Sequence, residues 1–272
     1  SLSRLREILS AEPETARPDD LTPEIRGHIR FEDVRFGYAE NKVLKNLSFE
    51  IKPGQTLGVL GGTGSGKSTV AHLLLRLYDL PEGSGRITID GVDIGRIDRA
   101  HLRSNVGLVL QEPFLFSRTV RQNIAAGNPE AELEEIRACA HSACVDGDID
   151  GFAQKYDTVL GERGVTVSGG QKQRLAIARM LMQRTPVMIF DDSLSAVDAQ
   201  TDLNIRNALL ERAKQREATT IIISHRISTL MRADAIMVLK DGAVEEMGSH
   251  QQLYERGGIY RRICDLQNSI TA

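Results

Sequence analysis

The stretch Val187–Asp198, VMIFDDSLSAVD, sets four apolar residues directly against two aspartates, Asp191 and Asp192. An apolar run that stops abruptly in acid is the pattern of a strand buried on both faces, and such strands belong to parallel sheets. Ligands of open α/β folds bind outside the carboxyl ends of those strands, where this one would deliver its carboxylates. Thr56–Leu60 (TLGVL) and Thr220–Ser224 (TIIIS) repeat the pattern, each passing from nearly continuous apolar residues into glycine or a polar turn.

A second kind of sheet is also expected. His28–Phe36 (HIRFEDVRF) and Asn46–Ile51 (NLSFEI) alternate apolar and polar residues, as half-solvated antiparallel strands do. Past Gln111 the strand signal fades and helical segments dominate, notably Glu130–Ala143 and Gly169–Arg184. Residues of about 112–184 therefore read as an inserted helical subdomain. The parallel pattern resumes in Thr219–His225 and Asp234–Gly242, and His250–Asn268 closes as two short helices separated by Gly257 and Gly258. At the amino end Leu2, Leu5, Ile8 and Leu9 share a helical face before Pro13, Pro18 and Pro23 punctuate an acidic stretch. Residues 1–27 read as a helix end and linker, and the whole as an excised domain or the tail of something larger.

Composition narrows the partners. With 41% hydrophobic and 26% charged residues and a net charge of -3 over 272 residues, the chain is globular and has no charge excess that favours nucleic acid. Cys139, Cys144 and Cys264 are odd in number and lack C-x-x-C spacing, which argues against a disulfide framework or a zinc site. No apolar stretch approaches the roughly 20 residues that a spanning helix needs.

Gly61–Thr69, GGTGSGKST, carries the strongest chemistry. It is G-x-x-x-x-G-K-S between a strand (TLGVL) and a helical segment (VAHLLLRLY), the context that makes the pattern a phosphate-binding loop. Glycines let backbone N–H groups wrap around phosphates, and the following helix adds its positive end. Gly61, Gly62, Thr63, Gly64, Ser65, Gly66 and Thr69 would form the cradle, Lys67 would meet the β- and γ-phosphates, and Ser68 would ligate Mg²⁺. Asp191, ending a neighbouring strand, would complete the metal environment. Ser168, Gly169, Gly170 and Gln171, at the start of another helical run, offer a second phosphate-reading surface. One nucleotide rarely needs both, so the second would read a nucleotide held by another subunit.

The order of GGTGSGKST, Gln111, VSGGQ (167–171), VMIFDD, SAVD (195–198) and SHR (224–226) resembles the nucleotide-binding domain of ABC transporters from His28 onward. Thr119–Pro129 (TVRQNIAAGNP) and Gly161–Gly164 (GERG) resemble exporters of the multidrug and lipid class. The resemblance implies an α/β fold, a P-loop NTPase with a RecA-like parallel core, an antiparallel β subdomain and an inserted helical subdomain. The nucleotide-binding domain would span 28–272, with 1–27 as the linker from a preceding transmembrane domain. It implies ATP and Mg²⁺ as ligands, transmembrane domains and a second nucleotide-binding domain as partners, no nucleic acid, and a place on the cytoplasmic face of the cell membrane. By matching positions, Gln111 would touch Mg²⁺ or the attacking water, His225 would bond the γ-phosphate, Tyr38 would stack on adenine, and Asp198 would lie across the dimer interface.

Asp192 departs from the family pattern, which usually has glutamate there. Aspartate is one methylene shorter and should fall about 1 Å short of the attacking water, a misplacement that can cost roughly 100-fold in rate. This resembles the weakly hydrolytic subunit of heterodimeric exporters, although a slowly working homodimer also fits, as does an engineered residue. Val167 replaces the usual leucine in an otherwise intact signature. Two rivals are a non-hydrolytic regulatory ATP-binding module and a chromosome-associated ATPase. The second would need long coiled-coil arms between Lys67 and Ser168, for which there is no room.

The chain is expected to bind Mg²⁺-ATP while staying largely monomeric, since half of each composite site comes from another molecule. Lys67→Ala is expected to abolish that binding in an equilibrium titration. Unchanged affinity would remove the phosphate-loop assignment.

Overall fold

The computed structural model describes residues 6, 9–10, 14, 17–161, 165–193, 200–205, 207–208 and 218–271. Two sheets organise them. β1 (Ile29–Tyr38), β2 (Asn41–Ile51), β4 (Arg86–Ile89) and β5 (Val92–Asp93) form an antiparallel sheet in the order β2-β1-β4-β5. β3 (Thr56–Leu60), β6 (Val106–Val109), β7 (Val187–Asp191), β8 (Thr219–Ile223), β9 (Ala235–Lys240) and β10 (Ala243–Gly248) form the other, in the order β10-β9-β3-β8-β7-β6. All its pairings are parallel except that of β10 with β9.

The apolar runs are continuous because alternate residues enter different cores. Val187 and Ile189 of β7, Ile221 and Ile223 of β8, and Met237 and Leu239 of β9 pack into one cluster together with Phe31, Phe49 and Ile87 of the antiparallel sheet. Met188, Phe190, Ile222, Ile236 and Val238 point the other way into a cluster with the helices. The half-solvated alternation of β1 holds on either side of one bulge, with Ile29 and Phe31 buried before it and Val34 and Phe36 after it.

α1 (Lys67–Leu74) follows β3, and α2 (Arg99–Asn105) leads into β6. The inserted segment holds α3 (Val120–Ile124), α4 (Leu133–Ser142), α5 (Asp146–Asp150) and α6 (Gly169–Gln183). α6 is its axis, burying Leu175, Ile177, Ala178, Leu181 and Met182 against the rest. Arg179 ties it to α3 and the preceding loop, donating to the Asn123 backbone carbonyl at 2.8 Å, the Asn123 Oδ1 at 2.8 Å and the Phe114 carbonyl at 2.9 Å. α7 (Ile227–Leu230) follows β8, and α8 (His250–Arg256) and α9 (Ile259–Thr271) end the described chain, separated by Gly257 and Gly258.

The amino-terminal approach is pinned rather than loose from Leu21 onward. Leu21 exchanges backbone hydrogen bonds with Arg96 and Asp98 at 2.8 Å each, and Ile25 is buried in the core. The Asp90 carboxylate accepts the N–H groups of Arg26, Gly27 and His28 at 2.8, 3.1 and 3.0 Å. Among the described residues no helix is long and apolar enough to cross a membrane.

Ile221→Ala empties a fully buried position in β8 and is expected to cost about 2–5 kcal/mol. Leu77→Ala, where the side chain is 46% exposed, should stay within about 0.5 kcal/mol. Urea denaturation of the two variants checks the contrast.

Candidate nucleotide-binding site

The carboxyl ends of β3, β7 and β8 bring the phosphate loop and the acids together. Asp191 closes β7 opposite Ile223 of β8, and the next amide, Asp192 N–H, donates to the Ile223 carbonyl at 2.9 Å. Ser224 N–H in turn donates to Val59 of β3 at 3.1 Å. The three strands are thus locked together where their side chains turn polar.

Residues 61–66 bridge β3 and α1. Gly66 caps α1 with φ of 100°, a conformation that side chains rarely adopt, and a Cβ there would also meet Leu44 at 2.7 Å. Gly62 and Gly64 have nothing within 4 Å of where a Cβ would stand, so the loop's backbone is open to a ligand. Ser65 Oγ is buried without a hydrogen-bond partner. Lys67 Nζ reaches back to donate to the carbonyls of Gly61 and Gly62, both at 2.8 Å. Burial pushes its ammonium below the usual lysine range, while the charges of Asp192 and Asp191 pull it the other way.

Asp191 is only 8% exposed, and that burial raises its carboxyl above the ordinary range. The Ser68 hydroxyl hydrogen-bonds to it and opposes the shift, the charge of Asp192 adds to it, and His72 and Lys67 oppose it. Ser68 and Asp191 together are a hard oxygen pair suited to Mg²⁺. No group of three or more His, Cys, Asp or Glu side chains that could hold a metal occurs among the described residues. Mg²⁺ typically binds through one or two protein ligands with substrate phosphates and water.

Asp192 has a left-handed backbone, φ 46°, and its Oδ2 lies 2.8 Å from His225 Nδ1. Gln111 leaves the same sheet edge two residues after Val109, which pairs with Phe190. Its side chain is exposed, and its carbonyl accepts from Gln173 Nε2 of α6 at 3.1 Å. Tyr38, at the end of β1, bonds through its hydroxyl to Thr69 Oγ1 at 3.3 Å and His72 Nδ1 at 3.1 Å. Its ring meets Phe36 and Tyr78 edge-on, with centroids 5.2 and 4.9 Å away.

The signature residues stand apart from this cluster. Ser168 Oγ accepts from Gln171 N–H at 3.2 Å, and Gln171 Oε1 accepts from Ser168 N–H at 3.0 Å, a reciprocal cap on α6. Gln171 Nε2 donates to Asp148 of α5 at 2.8 Å, as does Arg174 at 2.7 Å. Ser168 and Gly169 are exposed, with Gly170 half-buried behind them. Asp198 and residues 162–164 of the GERG stretch lie outside the described residues.

His72 escaped the sequence reading, although Ser68 and His72 stand four apart on one face of a helix. That spacing is what brings it toward Tyr38 and Asp191. Gln173, which holds the Gln111 carbonyl, carried no signal beyond its place in an apolar helix.

A glycine-rich loop at a helix start, a lysine across it and a half-buried serine bonded to a buried aspartate define a P-loop nucleotide-binding domain. The ABC transporter family matches residues 44–195, more than half of the chain, and the chain belongs to that family, with exporters as its relatives. It is 46% identical over 97% of its length to the uncharacterized ABC transporter ATP-binding protein YknU of Bacillus subtilis. It is 42% identical over 90% to the putative multidrug export ATP-binding/permease protein YgaD of the same species. The chain covers 45% and 42% of those two proteins, and so spans less than half of each. The structure of a bacterial Atm1-family ABC exporter with ATP bound matches 98% of this chain and 46% of that one, with a TM-score of 0.90 and 38% identity.

The raised Asp191 carboxyl has a testable sign. A carboxyl whose folded pKa lies above its unfolded value binds more protons in the native state, so stability falls as pH rises from the ordinary value of 3.8 through the folded one. Asp191→Asn is accordingly expected to raise the melting temperature of the ligand-free chain at neutral pH. It should also remove the Mg²⁺-dependent part of ATP stabilisation, where a ligand at 100 times its Kd stabilises by about 2.7 kcal/mol in all. Thermal melts with and without Mg²⁺-ATP check both signs.

Proposed function

We propose that this chain is the ATP-binding and ATP-hydrolysing motor domain of an ABC exporter, working at the cytoplasmic face of the cell membrane. It would close around ATP with a second nucleotide-binding domain to drive export through separate transmembrane helices. The gathering of Lys67, Ser68, Asp191, Asp192 and His225 at one sheet edge carries the reading. Lys67 exchanges the Gly61 and Gly62 carbonyls for β- and γ-phosphate oxygens. Ser68 and Asp191 hold Mg²⁺, which when bound neutralises charge on the phosphates. Tyr38, anchored to α1 through its hydroxyl, offers its ring to the adenine. The exposed Ser168–Gly170 surface serves the nucleotide of the opposing subunit, with Asp198 at the interface.

Asp192 and Gln111 address the attacking water. Because the Asp192 carboxylate is already engaged with His225 Nδ1 at 2.8 Å, the short side chain orients the histidine while reaching poorly toward water. The far nitrogen, Nε2, is left to address the γ-phosphate. This favours a composite site that binds ATP and hydrolyses it weakly, in the manner of one subunit of a heterodimer. The same pairing supports the second reading, a regulatory ATP-binding module without turnover.

Asp192→Glu separates the two readings. Restoring the missing methylene is expected to raise ATP turnover roughly 10- to 100-fold, measured at saturating Mg²⁺-ATP with dimer formation confirmed, self-paired and with the native partner. No gain in any pairing would sink the reach argument. A gain confined to the self-paired form would place the remaining defect in the partner's signature.

A further inference from the structure

The segment that carries His225 has little of its own to hold it. α7 is four residues long, and its cap residue Arg226 makes no side-chain capping hydrogen bond. The first amide of a helix lacks an intrahelical partner and needs one from elsewhere. It comes from the other end of the sequence. Gln267 of α9 accepts the Ile227 N–H through Oε1 at 2.9 Å and donates from Nε2 to the His225 carbonyl at 2.7 Å. One side-chain amide thus satisfies a donor and an acceptor on either side of Arg226.

α9 is fixed well enough to serve as the anchor. Glu246 of β10 caps its start, accepting the N–H groups of Ile259 and Tyr260 at 2.8 and 2.9 Å. Tyr260 is fully buried, its hydroxyl lies 2.7 Å from His250 Nδ1, and Cys264 one turn on is buried beside it. Gln267 follows about two turns after Tyr260, where the helix passes the His225 segment.

From this geometry we infer that Gln267 is a positioning residue for hydrolysis, holding the His225 backbone while Asp192 holds its ring. The inference rests on the hydrolytic reading above. His225 is 57% exposed on its side chain, so packing alone does not fix it. With the ring tethered at Nδ1 and the carbonyl at Gln267, the imidazole is constrained at both ends. Loss of the second tether allows displacement of the order of 1 Å, which costs up to roughly 100-fold in rate.

Two variants test this in the otherwise unaltered chain. Gln267→Ala removes both bonds. Gln267→Glu keeps an acceptor for Ile227 N–H but sets a carboxylate oxygen against the His225 carbonyl. Both are expected to lower ATP turnover by about 10-fold or more, with Mg²⁺-ATP affinity within about twofold and only a small drop in melting temperature. Amide exchange at Ile227, followed by NMR, should accelerate in Gln267→Ala and stay close to the parent rate in Gln267→Glu. Parent-like turnover in Gln267→Ala overturns the inference, as does a loss of turnover matched by equal losses of affinity and stability. A parent chain without turnover when dimer formation is confirmed, self-paired and with the native partner, overturns the hydrolytic reading instead. The His225 ring resonance, assigned with His225→Gln, then decides the tether, which is rejected if Gln267→Ala leaves that resonance in place.

Discussion

Burial of Asp191 constrains everything around it. A carboxylate at the end of a strand covered on both faces resists ionisation, so its neighbourhood must supply compensation. Ser68 donates to it, and Lys67 and His72 add favourable charge. Each helper is itself fixed by the fold. Ser68 and His72 project from α1, whose start is set by the left-handed Gly66, and Lys67 is bound to the loop that β3 delivers. The apolar burial that makes β7 a central strand therefore also makes its terminal acid costly to charge, a cost that a divalent cation is suited to offset.

Much of this was readable from the residue order. VMIF, TLGVL and TIIIS announced doubly covered strands because each alternate residue had a core of its own to enter. The phosphate loop was equally legible, since its glycines answer to backbone geometry that no neighbour needs to explain. The helix Gly169–Gln183 followed from the apolar periodicity of that stretch. Exporter-type membership follows from the family match and the relatives, whereas the roles of individual site residues stand as proposals.

What stayed hidden depended on pairing across distance. Nothing in the sequence announces that β8 lies between β3 and β7, and only that order places Asp192 N–H on the Ile223 carbonyl. The left-handed turn at Asp192 follows from that pairing, and aspartate tolerates it better than most residues. His72 and Gln267 look like ordinary helix residues until their partners arrive from β1 and β8. The irregularities between β1 and β2 were likewise unannounced, although Asp33 of β1 and Asn46 of β2, with φ of 48° and 53°, mark where the register shifts.

The hydrogen bonds of Lys67 carry a consequence for ligand selection. Its ammonium does not wait empty: two loop carbonyls already satisfy it at 2.8 Å. An arriving anion must therefore displace bonds already in place, which reduces the net gain from the stronger charge-assisted bonds that replace them. A single inorganic phosphate would offer the lysine and the loop amides fewer contacts at once than a longer phosphate chain. A polyphosphate, reaching the ammonium and the loop amides together, gains contacts that no intramolecular carbonyl can imitate. On the proposed role of Lys67, the closed resting posture of one side chain would bias the loop toward longer phosphate chains.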